Sequence, residues 1–147
     1  MLQEIIGYCL YKGYPIQKAI MLVGSGSNGK SVFIQLLQHF LGVYHCASNS
    51  LQKLAVNRFS LSSLHGKLAN LFADLSSSSL SDTSIFKMLT GGDLIQAEKK
   101  FKDEFSFTNY AKLIFSANAI PKSPDDSDAF FRRWIIIVFP FKFTGKN

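Results

Sequence analysis

The chain has 147 residues, 47% of them hydrophobic and 18% charged. That suits one compact domain with its own core and excludes a mostly disordered tail or linker. Sixteen basic against ten acidic residues give a net charge of +6, compatible with a polyanionic partner without requiring one.

In chain order, Leu2, Ile5, Ile6, Cys9 and Leu10 recur at helical spacing and predict an amphipathic helix over residues 2–11, ended by Gly13 and Pro15. Residues 18–23 form a short apolar run bounded by glycine, which predicts a buried strand. A glycine- and serine-rich loop follows over 24–29. Val32, Phe33, Leu36, Leu37, Phe40 and Leu41 predict a helix over 31–41, stopped by Gly42. Residues 44–66 carry a weaker pattern, with a short helix near 51–56. A second buried strand is expected over 68–74, and the four serines at 76–79 read as a flexible loop. Asp82 can cap a helix running to Leu89, with Gly91-Gly92 stopping it. Residues 95–101 and 105–107 predict two strands around a turn at 102–104. A third buried strand is expected over 110–116, then a loop over 118–128 with two prolines. A short helical turn leads to Arg132-Arg133 and a last strand over 134–139. Strands alternating with helices predict a parallel sheet covered on both faces.

Charge is unevenly spread along this plan. Residues 1–67 hold six basic residues and one acid, Glu4; residues 68–147 hold the other ten basic residues and nine acids. Cys9 and Cys46 cannot make a disulfide framework and lack metal-ligand spacing, which points to a reducing compartment. No apolar run approaches the roughly 20 residues of a membrane span. Residues 1–11 contain Glu4 and no basic leader, so no signal peptide is expected. A helical pattern starting at Met1 and a stop soon after the last strand predict a domain excised from a larger protein.

Chemistry concentrates in four places. Gly24-Ser25-Gly26-Ser27-Asn28-Gly29-Lys30-Ser31 fits G-x-x-x-x-G-K-[ST] at every position. Glycines allow the tight turn that aims successive N–H groups at phosphate oxygens, and the following helix favours an anion at its N-terminus. In this pattern Lys30 reaches the β- and γ-phosphates of ATP and Ser31 ligates Mg²⁺. The bland alternative is a glycine-rich strand–helix turn with an incidental Lys-Ser. Asp74, ending the second strand, suits an acid that supports Mg²⁺ through water; alternatively it merely caps a turn. No second acid adjoins it, so the water-activating base is unassigned. Asn118, ending the third strand, can bond a γ-phosphate or its attacking water, or can serve the turn before Pro121. Lys99, Lys100 and Lys102 surround Phe101 at the hairpin turn, where they meet a nucleic-acid backbone or only solvent. Arg132-Arg133 precedes a buried strand. One of them can act as an arginine finger on a neighbour's γ-phosphate, or both pair with Asp125, Asp126 or Asp128.

This ordered set resembles the superfamily 3 helicases, the AAA+ ATPase domains of replication proteins from viruses, phages and plasmids. It is most similar to the phage/plasmid primase–helicase branch (P4-like, related to the poxvirus D5 protein). The resemblance runs from Leu2 to Phe143. It rests on the Walker A residues 24–31, on Gly66-Lys67-Leu68-Ala69-Asn70 leading to Asp74 as Walker B, and on Lys87-Met88-Leu89-Thr90-Gly91-Gly92-Asp93. Glu98-Lys99-Lys100 matches the B′ region and Ser116-Ala117-Asn118 motif C. Asp126-x-x-Ala129-Phe130-Phe131-Arg132-Arg133-Trp134 completes it.

What the resemblance implies goes further. The fold would be α/β, a P-loop NTPase with an AAA+ core: a mostly parallel central sheet flanked by helices, with an inserted β-hairpin. Residues 1–147 would be one ATPase domain, with an N-terminal helix over 1–16 and the core over 17–143. The working unit would be a homo-oligomeric ring, a hexamer, around single-stranded DNA, in host-cell cytoplasm. ATP would lie between subunits, with Asn118 as sensor and an arginine supplied in trans, Arg133 fitting best and Arg132 close behind. Lys99 and Lys100 match the basic pair of the B′ hairpin, Lys102 more weakly. A primase domain upstream and a DNA-binding domain downstream would be expected. The activity implied is ATP hydrolysis coupled to DNA translocation. The rivals are a P-loop kinase and a nucleotide-dependent DNA-binding assembly module that turns over poorly.

Overall fold

In the computed structural model the described residues are 1–76, 82–120, 125, 127–144. Residues 77–79 of the serine run, both prolines of the 118–128 loop and Asp126 lie outside them. Helices α1 (Leu2–Leu10), α2 (Lys30–Leu41), α3 (Leu51–Val56), α4 (Arg58–Ser62), α5 (Ser84–Gly91) and α6 (Asp128–Phe131) surround the strands. The strands are β1 (Ala19–Val23), β2 (Cys46–Ala47), β3 (Ala69–Phe72), β4 (Leu94–Glu98), β5 (Glu104–Thr108), β6 (Lys112–Ala117) and β7 (Trp134–Val138). Five of them form one sheet in the order β2-β3-β6-β1-β7, every pairing parallel. β4 and β5 make a separate antiparallel hairpin. The α/β class, the parallel sheet and the hairpin are therefore as expected.

A parallel sheet needs crossovers, and the crossovers cover both faces. On β1, Ala19 and Met21 face one core with Leu113, Phe115, Leu54, Phe86 and Phe107; Ile20 and Leu22 face another with Ile114, Leu71, Phe33, Leu37 and Cys9. All six residues of β6 are buried, which is why its sequence shows no alternation. α2 ends where Gly42 takes a φ of +83°, and α5 where Gly92 takes +85°.

Three elements differ from expectation. β2 and α4 were hidden in the weak stretch 44–66. β2 has two residues, too few for a period, and α4 starts from an Asn57 side chain that accepts from the Phe59 and Ser60 amides. In the hairpin the first strand stops at Glu98, and the turn occupies residues 99–103. Lys99 and Lys100 have no core to face, and Phe101 sits at a φ of +61°, outside the strand region.

Lys112 begins β6 almost wholly buried, at 1% exposure. Its ammonium donates to the carbonyls of Tyr11 and Gly13 at 2.7 Å each and of Tyr110 at 2.9 Å, and lies 4.4 Å from the centroid of the Tyr8 ring. It pins the turn after α1 to the start of the sheet. Burial lowers its pKa to about 8 from 10.5. Since the folded value lies below the unfolded one, unfolding takes up a proton between pH 8 and 10.5, and this residue's contribution to stability rises across that window. Lys112→Met should lose about 2–3 kcal/mol below pH 8, because three carbonyls lose a charged donor. Denaturant titrations should show the wild-type advantage widening as pH rises from 8 to 10.5; a constant gap would mean that Lys112 does not titrate there.

Candidate nucleotide site

The C-terminal ends of β1, β3 and β6 open onto one cleft of about 400 Å³. Lys30, Ser31, Asp74, Ser116, Asn118 and residues 26–29 line it. This is the edge at which open parallel sheets bind ligands, and β1 is the strand whose two neighbours, β6 and β7, come from later in the chain.

The loop over 24–29 leaves β1 with the Gly24 amide donating to the Ala117 carbonyl at 3.3 Å. Ser27 and Gly29 take φ values of +58° and +88°, which fold the chain back into α2. Among the described residues, no amide from Gly26 to Ser31 donates to a protein acceptor. Six successive donors at a cleft wall fit an anion with several oxygens. Lys30 is buried, and its ammonium donates to the Gly24 carbonyl and to Asn28 Oδ1 at 2.9 Å, leaving one proton of three unengaged.

Asn28, only a variable position in the motif, organises this loop. Its Oδ1 holds Lys30, and its Nδ2 donates to the Phe139 carbonyl at 3.1 Å, tying the loop to the end of β7. Farther on, the Phe143 amide donates to the Ser27 carbonyl at 2.7 Å, so the segment after β7 lies against the loop. Nothing in the sequence pattern marks that contact except Phe139, Phe141 and Phe143 at alternate positions.

Asp74 sits at a φ of +77°, a conformation Asp tolerates better than most residues. The turn is fixed by the Leu75 amide donating to the Ser116 carbonyl at 2.6 Å, while Leu75 itself is buried. The turn thus explains an Asp locally, and it also brings the carboxylate into the cleft with Lys30 and Ser31. Asn118 follows β6 directly, exposed at the cleft. The donor set suits Mg²⁺ modestly: among the described residues the lining offers serine hydroxyls, Ser31 beside Lys30, and the Asp74 carboxylate, with no cluster of three acidic, His or Cys ligands.

The other expected site residues lie elsewhere. Lys99, Lys100 and Lys102 are exposed on the hairpin turn. Arg132 and Arg133 precede β7 at the opposite edge of the sheet, where the Ala19 amide donates to the Arg133 carbonyl at 2.8 Å. About 16 Å of strand separates them from their own phosphate loop. Arg132 is exposed and its side chain has no bond among the described residues. Arg133 is half-buried; its Nη1 donates to the Ala129 carbonyl and its buried Nε has no partner among the described residues. Neither bonds Asp125, which pairs with Lys87 at 2.6 Å and accepts from Thr83 and Ser127. Those bonds, the Lys87 ammonium first, hold its carboxyl well below the usual range. Cys9 is buried with its thiol pushed up to about 12, so it supplies no reactive sulfur. No helix among the described residues is long and apolar enough to cross a membrane.

The fold and cleft define an α/β domain of phosphate-loop type with an inserted hairpin. The chain belongs to the family of unknown function DUF5906, which matches residues 22–133. It is 30% identical over 146 residues to the protein named "Putative helicase L207/L206" of Acanthamoeba polyphaga mimivirus, covering 95% of this chain and 15% of that protein. Two solved structures share the fold. The apo C-terminal region of NrS-1 aligns with 94% of this chain at a TM-score of 0.68 and 21% identity, this chain spanning 32% of it. The helicase named JCV Helicase aligns with 95% at a TM-score of 0.62 and 12% identity, this chain spanning 40% of it. The chain therefore spans well under half the length of each. These likenesses accord with the resemblance to superfamily 3 helicases, and the two solved structures bear out the expected fold.

The cleft makes different demands on two glycines. A Cβ on Gly24 would lie 2.2 Å from Asn28 Nδ2 and 2.5 Å from the Phe139 carbonyl, whereas one on Gly26 meets nothing within 4 Å. Gly24→Ala should cost about 1–3 kcal/mol in denaturant unfolding, and Gly26→Ala about 0.5 or less. Equal losses would show that the loop does not close on β7 in this way.

Proposed function

We propose that this chain is the ATPase core of a replicative DNA helicase of a virus, phage or plasmid, hydrolysing ATP to move on single-stranded DNA. One observation carries the reading: a row of unengaged amides and the Lys30 ammonium share a cleft with Asp74 and Asn118 at the open edge of a parallel sheet. Residues 24–31 hold the triphosphate. Lys30 exchanges its loop partners for phosphate oxygens, and Asn118 positions the attacking water. Ser31 and Asp74 would hold Mg²⁺, which would offset charge on the phosphates. Among the described residues Asp74 is the one carboxylate lining the cleft, which favours a slower alternative, an assembly module that binds nucleotide with little turnover.

The arginines complete the site only in an oligomer, since strand length removes them from their own loop. A homo-oligomeric ring, hexameric in this reading, brings a neighbour's arginine to each cleft. Arg132 is the better finger by exposure, and Arg133 is bound to its own helix. The ring acts within a longer replication protein with primase and DNA-binding domains, in host-cell cytoplasm. Lys99, Lys100 and Lys102 meet the DNA backbone without regard to sequence.

Lys30→Ala should abolish ATP hydrolysis and leave the fold intact by circular dichroism; wild-type turnover would remove the phosphate-loop assignment. Arg132→Ala should bind ATP yet lose at least about 1,000-fold in turnover. Mixing it with Lys30→Ala subunits should restore part of the activity, because some interfaces then pair an intact Lys30 with an intact Arg132. If verified mixed rings stay inactive while Arg133→Ala rings recover, the finger is Arg133.

A further inference from the structure

The turn between β4 and β5 is built outward from a neck whose two acids share one ion-pair partner. Glu98 and Glu104 face each other as the last register pair below it. Arg58 of α4 reaches both, with Nε 2.7 Å from Glu98 and Nη1 3.1 Å from Glu104. That guanidinium engages two acids that would otherwise draw the turn's lysines down. Above the neck, the ammonium groups of Lys100 and Lys102 have no hydrogen bond or ion pair among the described residues. The Lys99 ammonium lies 5.5 Å from the Phe105 ring centroid. With Asp103 the turn still carries an excess of positive charge.

Between the lysines stands Phe101, fully exposed at 102% and packed on nothing among the described residues. The turn closes beneath it through the Lys102 amide and the Lys99 carbonyl at 3.0 Å. Its φ of +61° costs about 1–2 kcal/mol, which Gly would avoid. An aromatic is thus held, against local preference, at the tip of a narrow ribbon and flanked by three ammonium groups. One ring on a two-stranded tip is a poor membrane anchor, which needs a broad apolar face. It does suit a ligand that presents one flat face at a time between negative charges.

We propose that Phe101 is a base-stacking residue for single-stranded nucleic acid: its ring packs on an unpaired base while Lys99, Lys100 and Lys102 meet the flanking phosphates. The inference rests on the translocase reading and adds a contact that lysines cannot make. The two contributions separate cleanly, because stacking tolerates salt and phosphate neutralisation does not.

The test is equilibrium binding of the full chain to an oligothymidylate and to an abasic strand of equal length across a salt series. Wild type should prefer the base-bearing strand about 5- to 150-fold for one stacked base. Phe101→Ala should erase that preference and leave the salt slope unchanged; Phe101→Trp should keep it. The triple Lys99→Ala, Lys100→Ala, Lys102→Ala variant should flatten the slope on both strands and keep the preference. An undiminished preference in Phe101→Ala, or wild type binding both strands equally, overturns the stacking role alone. Binding by wild type to phosphatidylserine vesicles that is lost in Phe101→Ala, with no base preference, assigns the tip to lipid instead. If wild type binds neither strand at any salt, the translocase reading falls with it.

Discussion

All five strands of the central sheet run in one direction, and most of the molecule's organisation follows from that constraint. The C-terminal ends of β1, β3 and β6 must arrive at one edge, so Gly24, Asp74 and Asn118 meet there although about 50 residues separate each from the next. Parallel pairing also demands long crossovers, and these bury both faces of β1 and β6. The loops at the open edge are thereby freed from core packing. At the opposite edge, Lys112 and the turn after α1 bear structure: a buried ammonium closes three carbonyls that the sheet cannot reach.

Long periodic elements and the phosphate loop were legible because one local cause sets each. A 3.6-residue period marks α1 and α2, and the spacing of two glycines, a lysine and a serine marks the loop. The loop's anchoring was not legible. Asn28 matters through a carbonyl more than a hundred residues away, and no local pattern encodes that distance. β2 depends entirely on pairing with β3, Cys46 beside Ala69 and Ala47 beside Asn70, and has too little sequence of its own to declare itself. The hairpin was legible as two strands and a turn. The expected first strand runs on to Phe101, an aromatic that favours strands, whereas β4 ends at Glu98 and the φ at Phe101 lies outside the strand region. For Asp74 and Asn118, the pattern leaves a turn role and a chemical role open; both residues line the cleft, Asp74 at the turn fixed by the Leu75 amide.

Electrostatics divide the acids from the bases by position. Glu98 and Glu104 are taken up by Arg58, and Asp125 by Lys87. Exposed pairs of this kind add little stability, about 1 kcal/mol at most. Their effect is on where uncompensated charge remains. In the C-terminal half, where basic and acidic residues are nearly balanced, Lys100, Lys102 and Arg132 are left without acidic partners among the described residues. Net charge alone therefore misjudges this half, which is close to neutral in sum and locally positive at the hairpin turn and before β7.

Backbone strain follows the same division. Among the described residues, four non-glycine ones have positive φ: Gln17, Ser27, Asp74 and Phe101. Ser27 and Asp74 line or border the cleft, and Phe101 forms the hairpin tip; only Gln17 belongs to the structural edge. Each unfavourable conformation costs about 1–3 kcal/mol and persists only where surrounding structure over-determines it. At Asp74 that determinant is the Leu75 amide on β6, and at Ser27 it is the carbonyl that accepts from Phe143. At Phe101 it is the register pair below, clamped by Arg58. The sheet and its hairpin neck supply the rigidity, and the strained residues stand where the rigid parts end and ligand contact can begin.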